Sequence, residues 1–265
     1  MTSKASKVLM AVDIGNTALK IYRYELGESN YSQFPTRSVR QSNQQPVDES
    51  LLDQLIPQES NDSVAWRVSS VNDSIERKFR QFITHARAAD DYRRLTNDAI
   101  SISANVEDVS QVGIDRLLAA AGANGLRKAD NATIVVDAGS AVTVDFISQD
   151  GVFQGGVIFP GIAMQARVLA ESTERLPAID LSGEMNLEDV IGKSTTSAIR
   201  NGLIVGQHGA VREVVARISQ SLEREPQVFI TGGDMRFFEV LTKSNVAFVE
   251  DLVPLGIVLS SSQGS

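Results

Sequence analysis

Cysteine is absent from this 265-residue sequence, which excludes disulfides, thiolate metal sites and cysteine nucleophiles together. Histidine is scarce. His85 and His208 are the only two, too few for a His-rich zinc site and a poor basis for a Ser–His–Asp relay. No run approaches the ~18 uninterrupted apolar residues of a spanning helix. Lys4 and Lys7 lead into no apolar block of signal-peptide length before Asp13. A membrane is therefore not an expected partner, and the chain reads as cytoplasmic. Positive charge is in deficit as well: 25 basic against 33 acidic residues leave a net charge of −8. That field repels phosphodiester backbones, so nucleic acid is not expected either. The local candidates, Arg87 and Arg93–Arg94, are interleaved with Asp90 and Asp91 and read as a solvated helix face. Chemistry in such a chain rests on carboxylates, hydroxyls, backbone amides and added metal ions.

What is present is ordinary globular composition, 42% apolar and 22% charged, at a length that suits two compact units better than one. An apolar strand Val8–Val12 runs into a turn at Asp13–Thr17 and returns as Ala18–Tyr24. A polar stretch from Leu26 to Asp62 holds one helix near Leu51–Ile56. Val64–Val71 reads as a buried strand, and Ser74–Ala88 as an amphipathic helix capped by Ser74. Gly113–Lys128 reads as a helix, then Ala132–Val136 and Val142–Ile147 as strands either side of Asp137-Ala-Gly-Ser140. Gly155–Gly161 is a punctuated strand and loop, followed by a helix from Ile162 to about Ser172. Ser194 or Thr195 caps a long helix from Thr196 to about Leu222. Along it Ala198, Gly202, Gly206 and Ala210 recur every fourth residue, a smooth stripe that reads as core or subunit contact. Val228–Thr231 is a strand ending at Gly232-Gly233. The expected division is 1–112, 113–259 and a disordered tail over 260–265.

Val-Asp-x-Gly occurs at 12–15 and again at 136–139, each time between an apolar strand and a returning one. Two such units suggest two similar domains facing across a cleft. In Asp13-Ile14-Gly15-Asn16-Thr17, successive backbone amides can form an anion-binding nest, with Lys20 adding charge. Asp13 would repel a bare phosphate and makes sense there with Mg²⁺ between them, water-bridged. The same residues also favour an ordinary hairpin turn, and both readings stand at this point. Ser140, Thr143 and Asp145 surround the second turn, and Thr231-Gly-Gly-Asp234 offers a third close backbone approach for a nucleoside. Gly113-Ile-Asp115-Arg116 opens a helix. An Asp there can accept a hydroxyl proton during phosphoryl transfer while Arg116 binds an anion. The alternative is an N-terminal Asp favourable to the dipole beside a solvated Arg. Gly192-Lys-Ser194 imitates the end of a P-loop, but the first required glycine falls on Leu187. His208, inside the long helix without a second ligand, reads as structural.

Taken in order, Asp13-Ile-Gly-Asn-Thr17, Gly113-Ile-Asp-Arg116, Asp137-Ala-Gly-Ser-Ala-Val-Thr143, Gly155-Gly-Val-Ile-Phe-Pro-Gly161, Ile191-Gly-Lys-Ser-Thr195 and Thr231-Gly-Gly233 resemble the type III pantothenate kinases. That family belongs to the acetate and sugar kinase/Hsp70/actin superfamily. The resemblance implies an α/β fold of two ribonuclease H-like domains facing across a nucleotide cleft. It implies ATP-dependent phosphorylation of pantothenate to 4'-phosphopantothenate, the first step of coenzyme A synthesis, by a homodimer. It assigns ATP to Asp13, Ile14, Gly15, Asn16, Thr17, Ala18, Leu19, Lys20, Ser140, Gly232 and Gly233. Pantothenate falls to Gly113, Ile114, Asp115, Arg116 and Thr195, with Asp115 as proton acceptor. Asp137 takes a monovalent cation, K⁺ or NH₄⁺, and Asp13 the Mg²⁺. Two departures stand out: Ser140 replaces the family's usual Thr, and Val106, Asp108 and Val109 replace an aromatic residue and an Asn-Pro pair. The alternatives are a kinase for another small alcohol and a nucleotide-binding regulator without turnover.

Overall fold

Val8–Ile14 (β1) is apolar except for Asp13, and every residue but Asp13 is buried, the mark of a strand covered on both faces at the middle of a sheet. β2 (Ala18–Glu25) returns antiparallel to it, and β3 (Arg37–Ser42) pairs with the far edge of β2. After a short helix α1 (Glu49–Asp53), β4 (Val64–Ser70) lies parallel to β1. Helix α2 (Asp73–Ala86) then leads to β5 (Asp91–Arg94), parallel to β4. The sheet order is β3-β2-β1-β4-β5. The computed structural model describes residues 8–27, 31–32, 34–56, 63–181, 190–241 and 245–262.

Trp66 and Phe79 meet edge to face at 5.8 Å in the core under α2, and the indole N–H donates to Asp90 at 2.9 Å. The α2 cap is Asn72 rather than Ser74, because the Asn72 side chain already accepts the Ile75 amide at 3.2 Å. Arg93–Arg94 lie on strand β5, not on a helix face. Their neighbours are tied locally: Arg87 to Asp90 at 2.9 Å, Arg94 to Asp73 at 2.6 Å and Arg67 to Asp91 at 2.7 Å.

Helix α3 (Ile114–Leu126) precedes a second sheet. Its strands are β6 (Thr133–Ala138), β7 (Ala141–Ile147), β8 (Phe153–Pro160), β9 (Gln227–Thr231) and β10 (Val246–Phe248). The helices α4 (Ile162–Glu171) and α5 (Thr195–Gln220) fall between β8 and β9. The order is β8-β7-β6-β9-β10, with antiparallel pairs on one side of β6 and parallel pairs on the other. This is the first sheet's plan repeated. Asp13 and Asp137 therefore occupy equivalent positions near the ends of equivalent strands, and the short sequence repeat reflects a repeated topology.

The chain divides into one unit of Met1–Leu126 with Asp251–Ser265 and another of Arg127–Glu250, rather than at 112–113. Helix α3 stays with the first unit because it packs on α6 (Leu252–Ser262). The approach is so close that a β-carbon at Gly122 would strike the Leu252 carbonyl, and one at Gly256 the Leu118 carbonyl. Nor is the tail irregular from 260. Helix α6 runs through Ser262, and Ser260 Oγ accepts the Ser101 amide at 3.0 Å; residues 263–265 lie outside the described residues. Among the described residues no helix is long and apolar enough to cross a membrane.

Candidate active site

The turn between β1 and β2 is built by pairing. Asp13 stands opposite Lys20 in the ladder, with Nζ 3.5 Å from Oδ2, and the Gly15 amide closes the turn on the Ala18 carbonyl at 3.0 Å. Asn16 and Thr17 are thereby left exposed at the tip, while Ile14, Ala18 and Leu19 anchor it in the core. Asn43, just past β3, grips the turn from one side. Its backbone amide donates to the Thr17 carbonyl at 3.1 Å and its side-chain Nδ2 to the Gly15 carbonyl at 2.9 Å. Burial pushes the Asp13 carboxyl above its usual range; Lys20 opposes the shift and the Asp115 carboxylate adds to it. Asp13 and Asp115 are thus brought within electrostatic reach in the first unit.

Asp115 lies in the first turn of α3, where the helix dipole favours a carboxylate. Its Oδ1 accepts the Arg116 amide at 2.9 Å. A β-carbon at position 113 would come within 2.5 Å of that same oxygen, so glycine is what lets the carboxylate fold over the helix start. Asn97 braces the approach, its Nδ2 donating to the carbonyls of Val109 at 2.7 Å and Val112 at 2.8 Å. Asp108, one of the two departures' residues, is engaged in capping the short turn Val109–Gln111, accepting the Ser110 amide at 2.9 Å. Nearby, Tyr22 donates its hydroxyl to the Asp251 carboxylate. Burial, Asp251 and Asp13 together hold it protonated far above the ordinary phenol range.

In the second unit Asp137 on β6 is flanked by Thr143 on β7 and Thr231 on β9. The Gly139 amide closes the β6–β7 turn on Ala141 O at 3.0 Å, leaving Ser140 exposed. Gly232 adopts φ 96°, which disfavours L side chains, and a β-carbon there would lie 2.5 Å from Asp137 Oδ1. The three features expected to act together in this half, Asp137, Ser140 and Gly232-Gly233, thus share one end of the sheet. Asp145 is buried and accepts the Thr143 hydroxyl at 3.1 Å. Thr195 stands exposed in the first turn of α5. The preceding Ser194 caps that helix reciprocally with Ser197, the two bonds being 3.2 and 3.0 Å. His208 is buried, with Nε2 on the Phe237 carbonyl, as its structural reading required. The described residues hold no group of three or more acidic or histidine side chains that could bind a metal.

Asn43, Asn97, Tyr22 and Asp251 escaped the sequence reading. Asn43 sits in a Gln- and Ser-rich stretch without periodicity, and its partner Gly15 is 28 residues away. Only the pairing of β3 with β2 brings them together, and no local pattern announces it.

A family model described as type III pantothenate kinase matches residues 9–217. The type III pantothenate kinase of Dehalococcoides mccartyi (strain ATCC BAA-2266 / KCTC 15142 / 195) is 33% identical over 236 residues, covering 86% of this chain and 87% of that protein. That of Azobacteroides pseudotrichonymphae is 29% identical over 249 residues, 94% of each. Among solved structures, a putative Baf family transcriptional activator from Campylobacter jejuni superposes with a TM-score of 0.58 at 19% identity, covering 97% of this chain and 98% of that one. A putative 2-dehydro-3-deoxygalactonokinase from Sinorhizobium meliloti gives 0.56 at 12% identity, covering 97% and 96%. These two speak for the fold alone.

Proposed function

The chain belongs to the type III pantothenate kinases, and on that premise we propose how its residues divide the reaction. The enzyme transfers the terminal phosphoryl group of ATP to the hydroxyl of pantothenate, in coenzyme A biosynthesis. The observation that carries the assignment of roles is the approach of Asp13 to Asp115 in one unit. It supports reading the turn as the phosphate site and Asp115 as the group that takes the proton.

Asp13 through Lys20 receive the ATP phosphates, the turn amides acting as a nest and Lys20 as a point charge. Mg²⁺ fits Asp13, since a carboxylate penalised by burial and faced by a second carboxylate gains most from a neighbouring cation. When bound, the ion neutralises charge on the phosphate oxygens. Asp115 accepts the proton of the pantothenate hydroxyl as the new O–P bond forms and the bond to the ADP oxygen breaks. Arg116 attracts the substrate carboxylate, with Gly113 and Ile114 beside it at the start of α3; Thr195 is also assigned to pantothenate. Ser140, Gly232 and Gly233 serve ATP. Asp137 suits a monovalent cation, K⁺ or NH₄⁺: its carboxylate and the Ala138 carbonyl both border the space that a side chain at Gly232 would fill. Those are the hard oxygen donors such an ion prefers.

A homodimer is part of the proposal. On α5, Gly202 and Gly206 are exposed, and a β-carbon built on either meets nothing within 4 Å among the described residues. Gly202 and Gly206 are therefore not explained by packing among the described residues, and a second subunit is the use proposed for that face. The test is ADP release from ATP in the presence of pantothenate, with and without K⁺, beside Asp115→Asn. No pantothenate-dependent ADP formation would sink the function, and a fully active variant would sink the base.

A further inference from the structure

We infer that Asn43 is the positioning residue of the phosphate turn, holding the Gly15 and Thr17 carbonyls to one side so that the amides beyond them face the ligand. The inference rests on the assignment of that turn to ATP. Its geometry is direct: the Asn43 amide N–H donates to Thr17 O at 3.1 Å and Nδ2 donates to Gly15 O at 2.9 Å. In a trans peptide the C=O and the next residue's N–H point in opposite directions. Fixing the two carbonyls therefore aims the Asn16 and Ala18 amides away from Asn43. Asn16 and Thr17 themselves are exposed and carry no packing that would do this for them.

Two further observations separate this role from that of an ordinary loop anchor. The loop has its own ties, since the Gln45 amide bonds Ser42 O at 3.0 Å and Gln41 Nε2 bonds Pro46 O at 2.7 Å. It does not depend on the Asn43 side chain for its shape. The Asn43 amide also leaves Oδ1 buried without a partner among the described residues, a cost that serine or alanine would avoid. Turning the amide over would place that oxygen against the Gly15 carbonyl, where two acceptors repel. The side chain is thus oriented by the turn it holds.

The test compares Asn43→Ala and Asn43→Asp with wild type by initial-rate kinetics in both substrates, calorimetry with a non-hydrolysable ATP analogue and Mg²⁺, and thermal melting. Losing one well-placed hydrogen bond should raise KM for ATP and Kd for the analogue about tenfold, with KM for pantothenate within about twofold. Asn43→Asp should be the worse of the two, because its carboxylate repels both the Gly15 carbonyl and the phosphates. Lower melting temperature with unchanged nucleotide affinity, or equal increases in both KM values, would overturn the inference. Lys20→Met is measured alongside. If it weakens nucleotide binding while both Asn43 variants do not, the positioning role alone fails. If all three variants bind nucleotide as wild type does, the turn is not the phosphate site and the inference falls with it.

Discussion

Asp13 and Lys20 face each other across the β1–β2 hairpin with 3.5 Å between their charged atoms, yet the carboxylate titrates above its ordinary range. Burial is the larger effect, and Asp115 reinforces it. A carboxyl raised in the folded state leaves stability intact below its unfolded pKa and erodes it as pH rises through the folded one. Asp13→Asn should therefore melt higher than wild type near neutral pH, with the difference closing on acidification. Lys20, partly exposed, loses little when left to solvent. ATP with Mg²⁺ should raise the melting temperature of wild type far more than that of the variant. Identical ligand-induced shifts would remove Asp13 from the site.

At α3 the carboxylate and its glycine act as a pair. Replacing Asp115 by Asn removes the proposed proton acceptor and should lower kcat by about 10²–10⁴-fold, with nucleotide affinity kept. Gly113→Ala, which adds a single methyl 2.5 Å from Asp115 Oδ1, should displace the carboxylate and reduce kcat as well. Circular dichroism of each variant would show whether the fold has survived. Full kcat in Gly113→Ala would mean that the observed carboxylate position is not the working one.

The two strand–turn–strand units were legible because each is local: an apolar run, a breaker and a return. The equivalence of Asp13 and Asp137 followed from four residues and proved to be a shared sheet order. What stayed hidden was non-local. Helix α6, Leu252–Ser262, is apolar nearly all round and shows no face to a pattern search. Its place against α3 depends on glycines in two segments more than a hundred residues apart, so the boundary was drawn before α3 rather than after it. β5 was lost for a different reason. At Asp91–Arg94 the four residues of an edge strand are nearly all charged, which reads as solvated surface whatever the backbone does. In the site, the residues proposed to touch ligands sit in motifs, whereas Asn43 and Asn97 hold carbonyls of other segments and carry no motif of their own.

The exposed stripe on α5 makes a claim about assembly. Gly206→Arg places a long charged side chain where a β-carbon meets nothing within 4 Å among the described residues, so the monomer should fold unchanged apart from the ~1 kcal/mol or less by which helix propensity favours arginine over glycine. If a partner covers that face, light scattering after size exclusion should show the wild type at twice the mass of the variant. An unchanged mass would place the subunit contact elsewhere or nowhere.

His208 should make the second unit sensitive to acid. Its Nε2 faces the Phe237 carbonyl, so that nitrogen carries the proton, and the ring lies 5.5 Å from Phe238. Burial, and then Arg212, depress its pKa. A depressed histidine contributes stability above its unfolded value of about 6.5, and loses it as pH falls through the folded one. Wild type should accordingly lose melting temperature as pH falls below that unfolded value. His208→Leu leaves the Phe237 carbonyl without its donor and should be destabilised by about 1–3 kcal/mol at neutral pH. It has no imidazole to charge, so its own decline on acidification should be shallower. Parallel pH profiles for the two proteins would show that the acid sensitivity arises from other groups.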